Sequence, residues 1–232
     1  MKIACIGGGP AGLYFAILMK KQDPSHEITV YERNQPGDTF GFGVVFSDAT
    51  GTNLEEADPE TFDAMMAQCA RWDDIDIHYQ GEILRSGGHG FSGMSRATLL
   101  DILEARCRAL DVDLRFGVEI ADVETVRDAD LVLGADGVNS TVREQYASTF
   151  RPMIDWRPNR FVWLGTTRPF DAFTFFFRHN EHGLWRVHAY QYEKNHSTFI
   201  VEARSATWRA AGMDEATEDQ TLTFCEWPVR RS

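Results

Sequence analysis

The stretch from Lys2 to Arg33, KIACIGGGPAGLYFAILMKKQDPSHEITVYER, decides the fold. Residues 2–6, KIACI, read as a short buried strand that runs straight into glycine. LYFAILMKKQ then keeps helical spacing until DPSH breaks it, and EITVYER, 27–33, reads as a second strand. Strand, helix and strand in this order form a βαβ unit, which implies a parallel sheet. The turn is Gly7-x-Gly9-x-x-Gly12, with Pro10 and Ala11 inside it. Gly7 permits a tight turn, Gly9 lets the backbone approach a pyrophosphate, and Gly12 allows close packing of helix on strand. The free N–H groups of the helix then face the phosphates. Glu32 stands 20 positions beyond Gly12, where a carboxylate accepts hydrogen bonds from ribose hydroxyls. Arg33 follows it. An adjacent arginine suits a 2′-phosphate that Glu32 would repel, so the pair does not separate FAD from NAD.

A second strand-to-turn element comes much later, LVLGADGVNSTVR at 131–143. Its apolar strand ends at Ala135, Asp136 and Gly137 make the turn, and Ser140 and Arg143 open a helix. Asp136 at a strand's carboxyl end is placed to accept hydrogen bonds from a polyol, and Gly137 allows a close backbone approach. Alone, these residues also fit a plain Asp-Gly turn of an α/β protein.

Composition bounds the rest. The 232 residues are 43% hydrophobic and 25% charged, enough for one large domain or two small ones. The net charge of −12 disfavours nonspecific binding to nucleic acid or to an anionic membrane. Cys5, Cys69, Cys107 and Cys225 form no C-x-x-C pair or zinc spacing, and Cys5 and Cys107 sit in apolar patterns as core residues. The cysteines fit a reducing, cytoplasmic setting. Glycines interrupt the N-terminal apolar run, which is no signal peptide, and nothing reaches transmembrane length. His179, His182, His188 and His196 lack ligand spacing, so no metal is expected.

Along the chain, 34–53 reads as loop, and a helix is expected from Pro59 to Trp72. DIDIHYQGEILRS alternates like two strands around a turn. GGHGFSG reads as a flexible connection, and 95–110 as an amphipathic helix with Ser95 as N-cap. DLRFG and DLVLGAD are further strands. Beyond Val142 come RFVWLGTT, FTFFFR, LWRVHAYQY and STFIVEA, four aromatic-rich runs with no helix between them, so an antiparallel sheet is expected. EDQTLTFCE reads as a helix, and WPVRRS follows it.

The pattern L-x-x-G-A-D-G-x-x-S-x-x-R, with GGGPAG before it, resembles the single-component FAD-dependent aromatic hydroxylases, the para-hydroxybenzoate hydroxylase-like monooxygenases. MKIACIGGGPAGLYFAILMKKQDPSHEITVYERN followed by GFGVVFSD is similar to the branch acting on salicylyl-CoA and 2-aminobenzoyl-CoA. The resemblance implies a Rossmann-like FAD-binding domain with an antiparallel β substrate domain, C-terminally truncated. It implies FAD as cofactor, NAD(P)H as co-substrate, and O2 reacting with reduced flavin to hydroxylate an aromatic ring. A CoA thioester is the substrate class of that branch, and Arg151, Arg157 and Arg160 are the one basic cluster near the domain junction. GGGPAG is expected on the ADP half of FAD and Asp136-Gly137 on the ribityl side, with 41–48 beside the flavin ring. Gly7, Gly9, Pro10, Ala11, Gly12, Glu32 and Asp136 are the expected cofactor contacts, together with Arg33, Arg96 and Gly137. The expected division is 1–150 for FAD (75–93 lending strands to the substrate domain), 151–204 for substrate, and 205–232 as an incomplete helical segment and tail. A noncatalytic nucleotide-binding fragment, or a flavin reductase or oxidase, are the alternatives.

Overall fold

The alternation of apolar β-formers with glycine turns is realised element by element. The computed structural model describes residues 1–226; the WPVRRS tail lies outside the described residues. β1 (Lys2–Ile6), α1 (Pro10–Gln22) and β2 (Glu27–Glu32) open the chain. β3 (Gly43–Ser47), α2 (Asp48–Ala57) and α3 (Pro59–Met66) follow. Next come β4 (Ala70–Trp72), β5 (Ile75–Tyr79), β6 (Glu82–Ser86) and β7 (Phe91–Ser95). α4 (Arg96–Ala109), β8 (Asp113–Phe116), β9 (Leu131–Gly134), α5 (Thr141–Gln145) and α6 (Ala147–Phe150) lead to the second half. There β10 (Asn159–Thr166), β11 (Phe173–Asn180), β12 (Gly183–Glu193) and β13 (His196–Arg204) precede α7 (Ser205–Ala210) and α8 (Glu218–Cys225).

The chain divides into two interleaved units. Unit 1 is Met1–Phe40, Asn53–Ala67 and Arg96–Asp155; unit 2 is Gly41–Thr52, Gln68–Ser95 and the chain from Trp156 onward.

Unit 1 holds a four-stranded sheet in the order β8-β2-β1-β9, every pair parallel. β1 is central, and Ile3, Ala4, Cys5 and Ile6 are all buried. α1 buries Leu13, Ala16 and Ile17, and α4 buries Leu99, Leu103 and Cys107. The Cys107 thiol donates to the Leu13 carbonyl at 3.4 Å. Burial pushes both the Cys5 and Cys107 thiols up to about 12, so both behave as small core residues. One buried carboxylate ties three helices together. Asp58, 1% exposed, accepts from Lys21 Nζ of α1 at 2.7 Å and from Arg106 Nε and Nη2 of α4, both at 3.1 Å. Thr61 Oγ1 of α3 donates to it at 2.5 Å.

Unit 2 holds a six-stranded sheet in the order β10-β13-β12-β11-β5-β6 and a small antiparallel sheet β3-β7-β4. The four aromatic runs pair as antiparallel neighbours, and β5 joins β11 in parallel. One face of the large sheet is closed: Phe176, Trp185, Val187, Phe199 and Val201 pack with Trp208 of α7 and Cys225 of α8. Period-two alternation puts every second residue of these strands on that face.

Three local expectations need correcting. Residues 34–53 are not all loop: 43–47 form β3 and α2 starts at Asp48. GGHGFSG is not a free connection, because Phe91–Ser95 pairs with both β3 and β4. The helix from Pro59 stops at Met66, and Ala70–Trp72 turns into β4. For β3, β4 and β7 a partner distant in sequence supplies the hydrogen bonds that local composition does not announce. Ser95 closes β7, and α4 begins at the next residue.

Candidate functional site

The glycine turn follows β1 directly. Gly7 has φ +109°, and a Cβ on it would lie 2.3 Å from the Ala135 carbonyl oxygen, so only glycine fits there. A Cβ on Gly12 would lie 2.1 Å from the Gly7 carbonyl oxygen, whereas one on Gly9 would meet nothing within 4 Å. Gly12 is thus the packing glycine, and Gly9 leaves its backbone open to an approaching group. Gly9 caps α1 with no side-chain hydrogen bond, and Pro10 opens the first turn. Those N–H groups are available to an anion.

Glu32 closes the other side. Its Oε2 accepts the Gly8 N–H at 2.8 Å, and its Oε1 accepts the backbone and side-chain nitrogens of Asn34 at 2.9 and 2.6 Å. The carboxylate is held in place, and Oε2, with one donor, keeps room for a hydroxyl donor. A cavity of about 320 Å³ opens here; its lining includes Gly8, Gly9, Glu32, Phe40, Arg96 and Glu104. The Arg96 guanidinium lies 4.7 Å from the centre of the Phe40 ring, and its Nε is buried without a hydrogen-bond partner. A buried donor without an acceptor is costly in a finished protein. An anionic ligand in the cavity would relieve it.

The second glycine turn lies beside the first. β9 pairs with β1, the Ala135 N–H donates to the Ile6 carbonyl at 2.8 Å, and Ala135 is the residue against which Gly7 packs. From β1 the chain passes outward through β2 to β8 on one side and returns to β9 on the other. Strand order therefore reverses at β1. In open parallel sheets, ligands bind outside the carboxyl ends of the strands at such a reversal. Gly7 and Asp136 both sit there.

Asp136 has a further use. Its Oδ1 accepts Ser140 Oγ–H at 2.6 Å, and its Oδ2 accepts the N–H groups of Thr141 and Val142 at 2.7 and 3.2 Å. Ser140 in turn accepts the Arg143 N–H at 3.0 Å. Ser140 is the N-cap of α5, and the carboxylate adds acceptors for the first-turn N–H groups of Thr141 and Val142, which fixes the turn. Gly137 has φ +85°, and a Cβ on it would meet nothing within 4 Å, which leaves that backbone open.

Of the ten expected contacts, Gly9, Glu32 and Arg96 line the cavity directly. Gly7, Pro10, Ala11 and Gly12 build the turn behind it, and Asp136 and Gly137 make the adjoining turn. Arg33 is exposed and does not line the cavity. Sequence reasoning missed Asn34, Phe40, Leu100 and Glu104. Leu100 and Glu104 follow Arg96 at four-residue steps along α4, so a helical stripe drawn from Arg96 would have found them.

A family description of the NAD(P)-binding Rossmann-like domain matches residues 5–42. The chain is 45% identical over 214 residues to salicyloyl-CoA 5-hydroxylase of a Streptomyces species, a match covering 92% of this chain and 41% of that protein. It is 34% identical over 206 residues to 3-hydroxy-4-methyl-anthranilyl-[aryl-carrier protein] 5-monooxygenase of Streptosporangium sibiricum, covering 89% of this chain and 58% of the relative. Against protodeoxyviolaceinate monooxygenase of Chromobacterium violaceum it is 31% identical, covering 97% of this chain and 61% of the relative. The chain thus spans about half the length of the curated relatives it matches. A solved 2-methyl-3-hydroxypyridine-5-carboxylic acid oxygenase superposes with a TM-score of 0.79 at 20% identity, over 99% of this chain and 64% of that one. At that identity the likeness shows the fold.

Proposed function

We propose that this chain, which belongs to the aromatic-hydroxylase branch of the FAD-dependent monooxygenases, binds FAD and serves the hydroxylation of an aromatic ring carried as a CoA thioester. The observation that carries the reading is the side-by-side placement of two glycine turns at the strand-order reversal, next to a cavity holding the unpartnered Nε of Arg96. One turn suits a pyrophosphate and the other an adjoining stretch of the same cofactor.

Gly9 and the first turn of α1 would receive the pyrophosphate through backbone N–H groups. Glu32 would accept the adenosine ribose hydroxyls, and Arg96 would supply a charged donor from α4. Asp136, locked by Ser140 and α5, keeps the Gly137 backbone in place for the ribityl side. Flavin, when bound and reduced by NAD(P)H, supplies the activation of O2 that ring hydroxylation requires. The protein's share is to bind, to orient and to keep water out. Salicyloyl-CoA 5-hydroxylase supports the aryl-thioester substrate class.

The test is a purification of residues 1–232 with FAD added, followed by gel filtration and a visible spectrum of the folded fraction. A bound flavin spectrum that is lost in Gly12→Val is the expected result. A folded chain that leaves all the flavin in the small-molecule fraction would overturn the reading.

A further inference from the structure

The dinucleotide cavity is lined entirely by unit 1, and unit 2 holds a second cavity of its own. Its volume is about 510 Å³, and its walls come from β10, β13, α8 and the segment between β10 and β11. Ordinary periodicity builds them. Leu164 and Thr166, two apart on β10, face the same way, and Phe199 of β13 stands directly opposite Leu164. Leu222, Cys225 and Glu226, at i, i+3 and i+4, form one stripe at the end of α8. That helix is anchored beside the cavity: the Phe224 ring lies 4.7 Å from that of Trp185, and Cys225 belongs to the core of the large sheet. The segment after β10 supplies Phe170. Phe170 and Phe199 are each 7% exposed, with ring centres 6.5 Å apart and planes at 29°. The cavity therefore has an aromatic floor.

Arg168 brings a positive charge to this floor. Its N–H donates to Thr166 Oγ1 at 3.2 Å, which fixes the turn, and its guanidinium lies 5.3 Å from the centre of the Phe170 ring. It makes no ion pair among the described residues. Its five N–H donors are thus held over an aromatic face with no carboxylate to receive them. Cys225 is 2% exposed, and burial pushes its thiol up to about 12, so that wall is apolar and carries no thiolate. Glu226 and the carboxyl end of α8 disfavour an anion beside them, which leaves Arg168 as the place for one.

We propose that this cavity is a binding site for an aromatic carboxylate. The ring would lie against Phe170 and Phe199, and the acid would pair with Arg168. Phenyl faces and edges favour another aromatic ring over an aliphatic chain of equal area. A planar guanidinium matches the two oxygens of a carboxylate, and one already positioned by a ring beneath it loses less freedom on pairing. The volume lies within the range of small-molecule sites. The site belongs to unit 2 alone, so it does not depend on flavin being bound.

The full chain is titrated by calorimetry with 2-naphthoate, with the neutral 2-naphthamide and with octanoate, an acid without a ring. 2-Naphthoate should bind at least about tenfold tighter than 2-naphthamide, the worth of one charge-assisted pair, and at least about threefold tighter than octanoate. Arg168→Gln should remove the advantage over 2-naphthamide while leaving 2-naphthamide affinity and Tm unchanged, and Arg168→Lys should keep part of it. Leu222→Trp, which adds bulk to the α8 wall, should weaken both naphthyl compounds together. No binding of 2-naphthoate, equal affinity for acid and amide, or indifference to Arg168→Gln overturns the site. Indifference to Leu222→Trp overturns its location beside α8. Octanoate binding as tightly as 2-naphthoate overturns the aromatic assignment.

Discussion

Replacing Asp58 by asparagine should cost unit 1 about 3–5 kcal/mol. Asp58 is 1% exposed and receives hydrogen bonds from Lys21, Arg106 and Thr61. Arg106 is itself only 15% exposed at its side chain, and its other partner, Glu60, is largely in solvent. Asparagine keeps the shape and an acceptor for Thr61. It removes the anion, and it presents an amide N–H to a guanidinium that cannot accept one. The loss is that of breaking a buried pair, well above the roughly 0–1 kcal/mol of an exposed one. For a chain of this size it corresponds to a Tm fall of about 6–20 °C. The assay is thermal melting of the wild type, Asp58→Asn, Arg106→Gln and the double variant. The double should be less harmful than the sum of the singles by at least about 1.5 kcal/mol. A single-variant loss under about 1 kcal/mol, or strict additivity, would show that the node behaves as a surface pair and that burial does not set its strength. pH gives a second view of the same node. Burial alone raises the carboxyl, but the hydrogen bonds from Arg106, Lys21 and Thr61 more than reverse that and hold it well below its ordinary value. The stabilisation is therefore present above about pH 4 and is lost as pH falls further, through the depressed folded value. In Asp58→Asn that acid limb should be shallower.

Glu32→Ala removes the acceptor of the Gly8 N–H and the expected ribose contact; FAD affinity, read by flavin fluorescence on titration, should fall at least about tenfold, or about 1.4 kcal/mol. Gly43→Ala places a Cβ 2.4 Å from the Tyr192 Cβ and must break the clamp to Thr198 and Tyr190. Two buried hydrogen bonds at about 1 kcal/mol each predict a Tm loss of about 4–8 °C, and an unchanged melt would show that the segment is not held. His188 has a folded value below its ordinary one, chiefly through burial. Its contribution is complete above about pH 6.5 and declines as pH falls through the folded value, so His188→Gln should flatten the stability profile of the chain on the acid side of pH 6.5.

What the sequence made legible was whatever has a local cause. β1, α1 and β2 are encoded within 32 residues by apolar runs and a glycine turn, and the four late strands by aromatic alternation. The turn role of Gly7 and the packing role of Gly12 were readable too, because a missing Cβ is a local property. β3 and β7 were not readable. GVVFS and FSGMS sit in glycine-rich surroundings; GVVFS becomes a strand against FSGMS, and FSGMS against both GVVFS and β4. Asp58 was equally silent: its partners Lys21 and Arg106 are 37 and 48 positions away, and no spacing rule connects them. Asp136 was legible as a turn residue, but not as an acceptor for the first-turn N–H groups of α5. The sequence signal D-G-x-x-S supports both, and only the hydrogen bonds distinguish them.

The distance between the two glycine turns has a physical consequence. Gly7 and Asp136 are 129 positions apart, yet they adjoin because β9 returns to the free side of β1 after β2 and β8 have filled the other. Neither turn alone specifies a long cofactor. A Rossmann-type turn holds a pyrophosphate of any dinucleotide, and an Asp-Gly turn by itself holds nothing in particular. Their adjacency turns two weak signals into a requirement on ligand length, since a molecule satisfying both must extend past the pyrophosphate along the carboxyl ends of β1 and β9. That requirement can be tested with ligands alone. FAD should bind more tightly than ADP-ribose to the wild type, and Gly137→Val, a substitution strained at φ +85°, should erase the difference while leaving ADP-ribose affinity unchanged. Equal affinity for the two ligands in the wild type would mean that the second turn contributes nothing to binding.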